Sequence, residues 1–179
     1  MKRVLNLGCG SVKITGADNV DINETNKPDL IFDIRKEFPI EDRFYDEIYL
    51  FHTIEHIEKK YHRVLFSEMR RVLNDNGIII ITYPEFSKVL KYWLDNYKGL
   101  REFWEAVIYG RQAYPSDYHV CAIDTEELKF ELLNYGLETI ESKSEPKEEF
   151  NTILTLQKCQ IPPIYEEILY RDIFEGASK

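Results

Sequence analysis

Two spacings of apolar residues alternate along the chain. Val4-Leu5-Asn6-Leu7 is a short run that stops at Gly8-Cys9-Gly10. A strand apolar on both faces belongs inside a parallel sheet. Asp18 to Ile22, Pro28 to Ile34, Tyr45 to Phe51 and Ile78 to Tyr83 read as four more short strands. Between the last two, Tyr61, Val64, Leu65, Met69, Val72 and Leu73 recur at three and four residues. That is the stripe of an amphipathic helix, with Arg70 and Arg71 facing out and Gly77 closing the end. Phe86, Val89, Leu90, Trp93, Leu94 and Tyr97 mark a second helical face, expected in the core. Gly110 to His119 reads as loop. Asp124 caps a further helix, with Glu127 three residues on as its capping-box partner. Leu128, Leu132 and Leu133 face the core there, and Gly136 ends it.

Strands alternating with helices build a parallel sheet. Leu137 to Ser142 and Phe150 to Leu156 are joined only by Lys143 to Glu149, too short for a parallel crossover, so they form an antiparallel hairpin. The expected fold is α/β: a Rossmann-like, mostly parallel sheet of about seven strands with a terminal antiparallel hairpin. Ser11 to Val20 leave little room for a crossover helix and hold a single turn at most. One domain spans residues 1–160. Pro162-Pro163 then begin a tail over 161–179, in which Ile164, Ile168, Leu169 and Ile173 mark a short docking helix.

Composition narrows the function. A chain of 179 residues, 44% hydrophobic and 31% charged, is an ordinary globular domain. Its net charge of −9 argues against a phosphate-backbone partner. No apolar run approaches the roughly 18 residues of a membrane span, and no signal-peptide pattern opens the chain. Cys9, Cys121 and Cys159 have no metal or redox spacing, which fits a reducing cytoplasm.

The candidate chemistry gathers at strand ends. Gly8 and Gly10 remove side chains where the backbone turns, so a ligand can lie against the peptide groups. Ligands of open parallel sheets sit beyond the strands' carboxyl ends. Asp21 is a carboxylate able to accept from two ribose hydroxyls. Asp33 ends the third strand as another acceptor. His52-Thr53-Ile54-Glu55-His56 matches H-x-x-E-H, a zinc-hydrolase pattern. That reading needs both histidines on one long helix. Here the motif follows a strand directly and has no third ligand nearby, so no metal is expected. The turn is also not G-x-G-x-x-G, since Gly16 comes too late for a nicotinamide-dependent oxidoreductase.

LNLGCG resembles motif I of the class I S-adenosylmethionine-dependent methyltransferases. The resemblance runs over roughly residues 3 to 158 and is closest to small members with LNLGCG, NVD, HxLEH and RVLxxxG segments. It implies S-adenosylmethionine as cofactor, held by Asn6, Leu7, Gly8, Cys9 and Gly10 of the turn. It assigns the ribose to Asp21 and Ile22, the adenine to Asp33 and Ile34, and the methionine end to Phe51 and His52. The segment after the fifth strand carries substrate-specific insertions in this family, and here it holds ten aromatics between residues 83 and 118. Imidazole titrates near neutral pH and suits proton removal from a hydroxyl acceptor. His119, in Asp117-Tyr118-His119, is the expected catalytic base and His56 its positioning partner. His62, between Tyr61 and Arg63, reads as an ordinary surface residue. The acceptor is expected to be a small molecule or glycan-like precursor, with self-association possible. The alternative is a cofactor-binding protein of the same fold without catalysis.

Overall fold

The computed structural model describes residues 2–96 and 101–160; Tyr97 and the expected tail helix lie outside the described residues. Seven strands form one sheet: β1 (Val4–Leu7), β2 (Asp18–Asp21), β3 (Leu30–Ile31), β4 (Tyr45–Phe51), β5 (Leu73–Pro84), β6 (Leu137–Ser144) and β7 (Asn151–Lys158). Their order is β3-β2-β1-β4-β5-β7-β6. The first five run parallel, whereas β7 is antiparallel to both β5 and β6. The expected fold class and hairpin are therefore present.

The period-two pattern explains the core. Leu5, Leu7, Ile48, Leu50, Ile79, Ile81, Leu154 and Leu156 are fully buried on neighbouring strands, each contributing roughly 1.5–3 kcal/mol of apolar burial. The third strand is shorter than expected. Only Leu30 and Ile31 pair, and both are exposed at the sheet edge. Asp33 instead turns back to accept from the Arg35 amide at 3.0 Å.

Helix α1 (Lys59–Val72) buries Leu65, Phe66, Met69 and Val72 as its stripe requires. Three of its polar positions differ from expectation. His62 is only 1% exposed. Its ring contacts the Ile57 carbonyl at 3.2 Å and the Glu131 carboxylate at 3.3 Å, so it is a satisfied core residue. Arg71 is half-buried rather than outward. It pairs with Glu68 at 2.6 Å and donates to the Phe38 and Ile40 carbonyls. Arg70 is also half-buried and donates to the Cys159 carbonyl at 3.3 Å. Each of these groups finds partners contributed by distant segments, which periodicity does not display.

Gly77 does not cap α1, which ends at Val72. It sits instead in a bulge: Tyr45 pairs with Leu73, but Glu47 pairs with Ile78. The Asp46 carboxylate ties this bulge down, accepting from Asn74 at 2.6 Å and from the Arg3 amide at 2.8 Å.

Helices α2 (Phe86–Asn96) and α3 (Arg101–Tyr109) fill the aromatic segment. Val89 of α2 and Trp104 of α3 pack with Phe150 in a second small core. Phe86, Leu90 and Leu94, expected inside, are exposed. Of the stripe's described residues, only Val89 and Trp93 pack inward, so the buried line is narrower than the spacing predicts. Helix α4 (Thr125–Asn134) starts as expected, with Asp124 accepting from the Glu126 and Glu127 amides. The Glu127 carboxylate pairs with Lys59 at 3.2 Å. Leu128 and Leu132 are buried; Leu133 is exposed. Among the described residues, no helix is long and apolar enough to cross a membrane.

The bulge at Gly77 sets the β4–β5 register. A Cβ there would lie 2.8 Å from the Asp46 carbonyl oxygen and 2.6 Å from Leu73 Cδ1. Gly77→Ala should therefore destabilise the protein by about 1–3 kcal/mol, read from the urea midpoint. A midpoint equal to wild type would show that the backbone yields freely here.

Candidate functional site

In a sheet of this order the strand sequence reverses direction between β1 and β4, leaving a crevice beyond their carboxyl ends. Two loops meet there: the glycine turn after β1 and the His52–His56 segment after β4. Gly8 adopts φ +66° and Gly10 φ +51°, conformations that favour glycine. A Cβ on Gly8 would collide with the Thr53 side chain, whereas one on Gly10 would project into open space with nothing within 4 Å. The Thr53 hydroxyl donates to the Phe51 carbonyl at 2.9 Å and stands 3.3 Å from the Gly8 carbonyl. Gly8 thus lets the two loops touch, and Gly10 keeps the outer side of the turn clear.

Asp21, at the end of β2, reaches the turn. Its Oδ2 accepts from the Gly10 amide at 2.7 Å and its Oδ1 from the Asn23 amide at 2.7 Å. A carboxylate carries about four acceptor sites, so lone pairs remain for a ligand. Ile22 follows, half-exposed. Asn6 is buried, and its amide donates to Asn19 Oδ1 at 2.9 Å. Asn19 in turn binds the backbone of Ile14 and Ala17 and the carboxylate of Asp29. The segment between β1 and β2 contains no helix, as expected, and this asparagine pair holds it. Leu7 and Cys9 are buried beneath the turn.

Asp33 is already engaged. Arg35 contacts it in bidentate fashion, Nε at 2.8 Å and the terminal nitrogen at 3.1 Å. Burial pushes its pKa up, but the Arg35 guanidinium and amide outweigh this and hold the carboxyl below its ordinary value. Ile34 beside it is buried.

The second loop carries the acid–base groups. Phe51 stacks on Tyr49 with ring centroids 5.1 Å apart. His52 has φ +48°, an uncommon conformation for a residue with a side chain, while its amide binds the Thr82 carbonyl at 2.9 Å. A 3₁₀ turn over Ile54–His56 then points Glu55 inward, leaving it 2% exposed. Glu55 Oε1 lies 3.7 Å from His52 Nδ1, and Oε2 has no hydrogen-bond partner among the described residues. Burial lowers the His52 pKa, but Glu55, Glu145 and Glu148 more than offset it, and the net direction is upward.

His119 arrives from far along the chain. A Cβ on Gly110 (φ +78°) would collide with the Asp117 carbonyl, so glycine lets the 110–119 loop close on itself. The His119 amide then binds the Tyr109 carbonyl at 3.0 Å. Next to it, the Val120 amide donates to the Glu55 carbonyl at 2.8 Å. The His119 ring meets that of His56 edge-on, with centroids 4.7 Å apart, and burial lowers its pKa. Glu55 and His119 both border an apolar cavity of about 210 Å³, walled by Phe86, Val89, Ile108 and Ile123 among others. Cys121, on the same wall, has its thiol pushed up to about 11 by burial.

The structure therefore brings His56 and His119 together, and places the glycine turn beside Asp21. Thr53, Glu55 and Asn19 are the residues that sequence reasoning passed over. Glu55 lay within a recognised pattern, but only its burial singles it out.

A search of curated protein sequences finds no match. Solved structures give many matches of the same fold. A Pyrococcus horikoshii OT3 protein superposes with a TM-score of 0.65 at 17% identity, covering 88% of this chain and 82% of its own. A Methanosarcina mazei protein described as a SAM-dependent methyltransferase gives 0.64 at 14% identity, covering 88% and 92%. The glycopeptide N-methyltransferase MtfA, solved with S-adenosyl-L-methionine, gives 0.63 at 9% identity, covering 88% and 87%. The profile of the methyltransferase-domain family matches residues 2–142, most of the chain and both loops of the crevice, so this chain belongs to the methyltransferase-domain family.

Proposed function

We propose that the chain transfers a methyl group from S-adenosylmethionine to a hydroxyl of a small molecule or glycan-like precursor. S-adenosylmethionine is the cofactor; when bound, it supplies a methyl group on a positively charged sulfur. The residues at the crevice fit such a group. The space beside Gly10 is clear, Asp21 presents a carboxylate at the turn, and Gly8, Cys9 and Gly10 offer backbone there. Ile22 and Ile34 flank the acids that would receive ribose and adenine, and Asp33 retains acceptor capacity beside Arg35. Phe51 and His52 border the opposite loop.

The observation that carries this reading is that the Thr53–His56 segment borders two unlike surfaces. One is an open glycine turn with a buried acid; the other is an apolar cavity bordered by Glu55 and His119. The cavity's size and apolar wall suit a small acceptor better than a polymer. Positioning supplies most of the rate in such a reaction, and His119 with His56 handles the acceptor's hydroxyl proton. The free thiols of Cys9, Cys121 and Cys159 suit a cytoplasmic enzyme.

Calorimetry with S-adenosylhomocysteine tests the cofactor end. Asp21→Ala should weaken it by roughly 1.5–3 kcal/mol, the scale of hydrogen bonds to a charged group, and NAD should not bind. Normal affinity in the variant would remove Asp21 from the site. For the acceptor end, His119→Asn should lower turnover by about 10²-fold or more while S-adenosylhomocysteine affinity stays close to wild type. A parallel loss of both would make His119 a structural residue.

A further inference from the structure

Burying a carboxylate without a partner is costly, yet Glu55 Oε2, on a residue 2% exposed, has none among the described residues. Its surroundings suggest what would offset that cost. One ligand atom each from Glu55, His56 and His119 lies within 4.8 Å of the others. We propose that these three residues hold a divalent transition-metal cation, zinc by the donor set, beside the acceptor cavity.

Four observations converge on it. Two imidazoles and one carboxylate form a three-ligand set that, in catalytic zinc sites, leaves one coordination position open. One ring is already oriented by a backbone carbonyl, and the other packs on it. His56 Nδ1 lies 3.0 Å from the Tyr118 carbonyl, and the His119 ring meets the His56 ring edge-on. A histidine that donates one ring N–H to a carbonyl keeps the other nitrogen as a lone pair, the usual arrangement in metal ligands. His52, 3.7 Å from Glu55 Oε1, steadies the carboxylate from behind. Finally, Glu55 and His119 border the cavity itself, so the open position is reachable by what enters there.

The ligands of a bound tetrahedral zinc stand roughly 3.4 Å apart. Since the present separations do not exceed 4.8 Å, a closing movement of at most about 1.4 Å would reach that spacing. The H-x-x-E-H pattern contributes differently from a zinc hydrolase. Only its second histidine and its glutamate ligate, and the third ligand comes from the loop before α4, sixty-three residues beyond His56.

This deepens the methyl-transfer reading and rests on it for the acceptor alone. A hydroxyl oxygen that takes the open position is acidified by the cation. Its proton leaves to water, and the oxygen stays bound as an alkoxide facing the crevice. His119 and His56 then act on the acceptor's proton through the cation they hold.

The test uses the full chain, stripped with a chelator and titrated with Zn²⁺ by calorimetry, and with Co²⁺ by visible absorption. One equivalent should bind, and Co²⁺ should show the absorption of a four- or five-coordinate site. Glu55→Gln and His119→Asn should each weaken Zn²⁺ at least about 100-fold, at or beyond the loss seen for outer-shell partners. S-adenosylhomocysteine affinity, measured on the same samples, should persist. His56→Asn, at a half-buried position, reads the same quantity if a core substitution unfolds the chain. No stoichiometric Zn²⁺, or undiminished affinity in the variants, would overturn the site. Zn²⁺ binding without any S-adenosylhomocysteine binding would instead leave the metal site standing and remove the methyl-transfer reading.

Discussion

The approach of Thr53 to Gly8 is the constraint on which the rest of the site depends. Parallel strands β1 and β4 pair from Val4–Glu47 to Leu7–Leu50, which brings their loops out side by side. Any side chain at residue 8 would occupy the volume of the Thr53 methyl group. With glycine there, the β4 loop packs on the turn, and its next residues, Ile54 to His56, descend in a 3₁₀ turn. The same contact thereby fixes where Glu55 and His56 stand relative to the open side of Gly10. The Thr53–His56 segment thus borders both the glycine turn and the apolar cavity.

The turn itself is supported without the helix that usually follows such a strand. Two asparagines, Asn6 and Asn19, take over. Their side chains satisfy backbone groups of Val12, Ile14 and Ala17 that would otherwise need water. Burying two amides is tolerable only because nearly every donor and acceptor is met. Asp21 completes the arrangement by holding the Gly10 amide. It thereby ties the end of β2 to the turn after β1.

Around Glu55 the balance runs the other way. Its neighbours satisfy the backbone but leave one carboxylate oxygen bare. Polar groups left unmatched in an otherwise well-matched core cluster at functional sites. Here the imidazoles of His52, His56 and His119 all stand near the Glu55 carboxylate. Two neighbours thus differ: Thr53 is packed and bonded, while Glu55 keeps one buried oxygen without a partner among the described residues.

Much of this was legible in the chain alone. The period-two runs, the stripe of α1, the Asp124 cap and the short Lys143–Glu149 connection together determine a parallel sheet with an antiparallel hairpin. The cause is local: apolar spacing and loop length restrict how a segment can pair. The glycine turn and Asp21 are likewise close in sequence and were read from it. Tertiary structure alone decided what lies under each face. His62 turned inward because Glu131 and the Ile57 carbonyl meet it, α2 packed through Val89 and Trp93 and left Leu90 and Leu94 exposed, and Gly77 served a bulge rather than a cap. It alone also brought His119 to His56, and made Glu55 a buried acid. Those relations join residues tens of positions apart, and their energies arise from desolvation and partnering, which no spacing along one segment records.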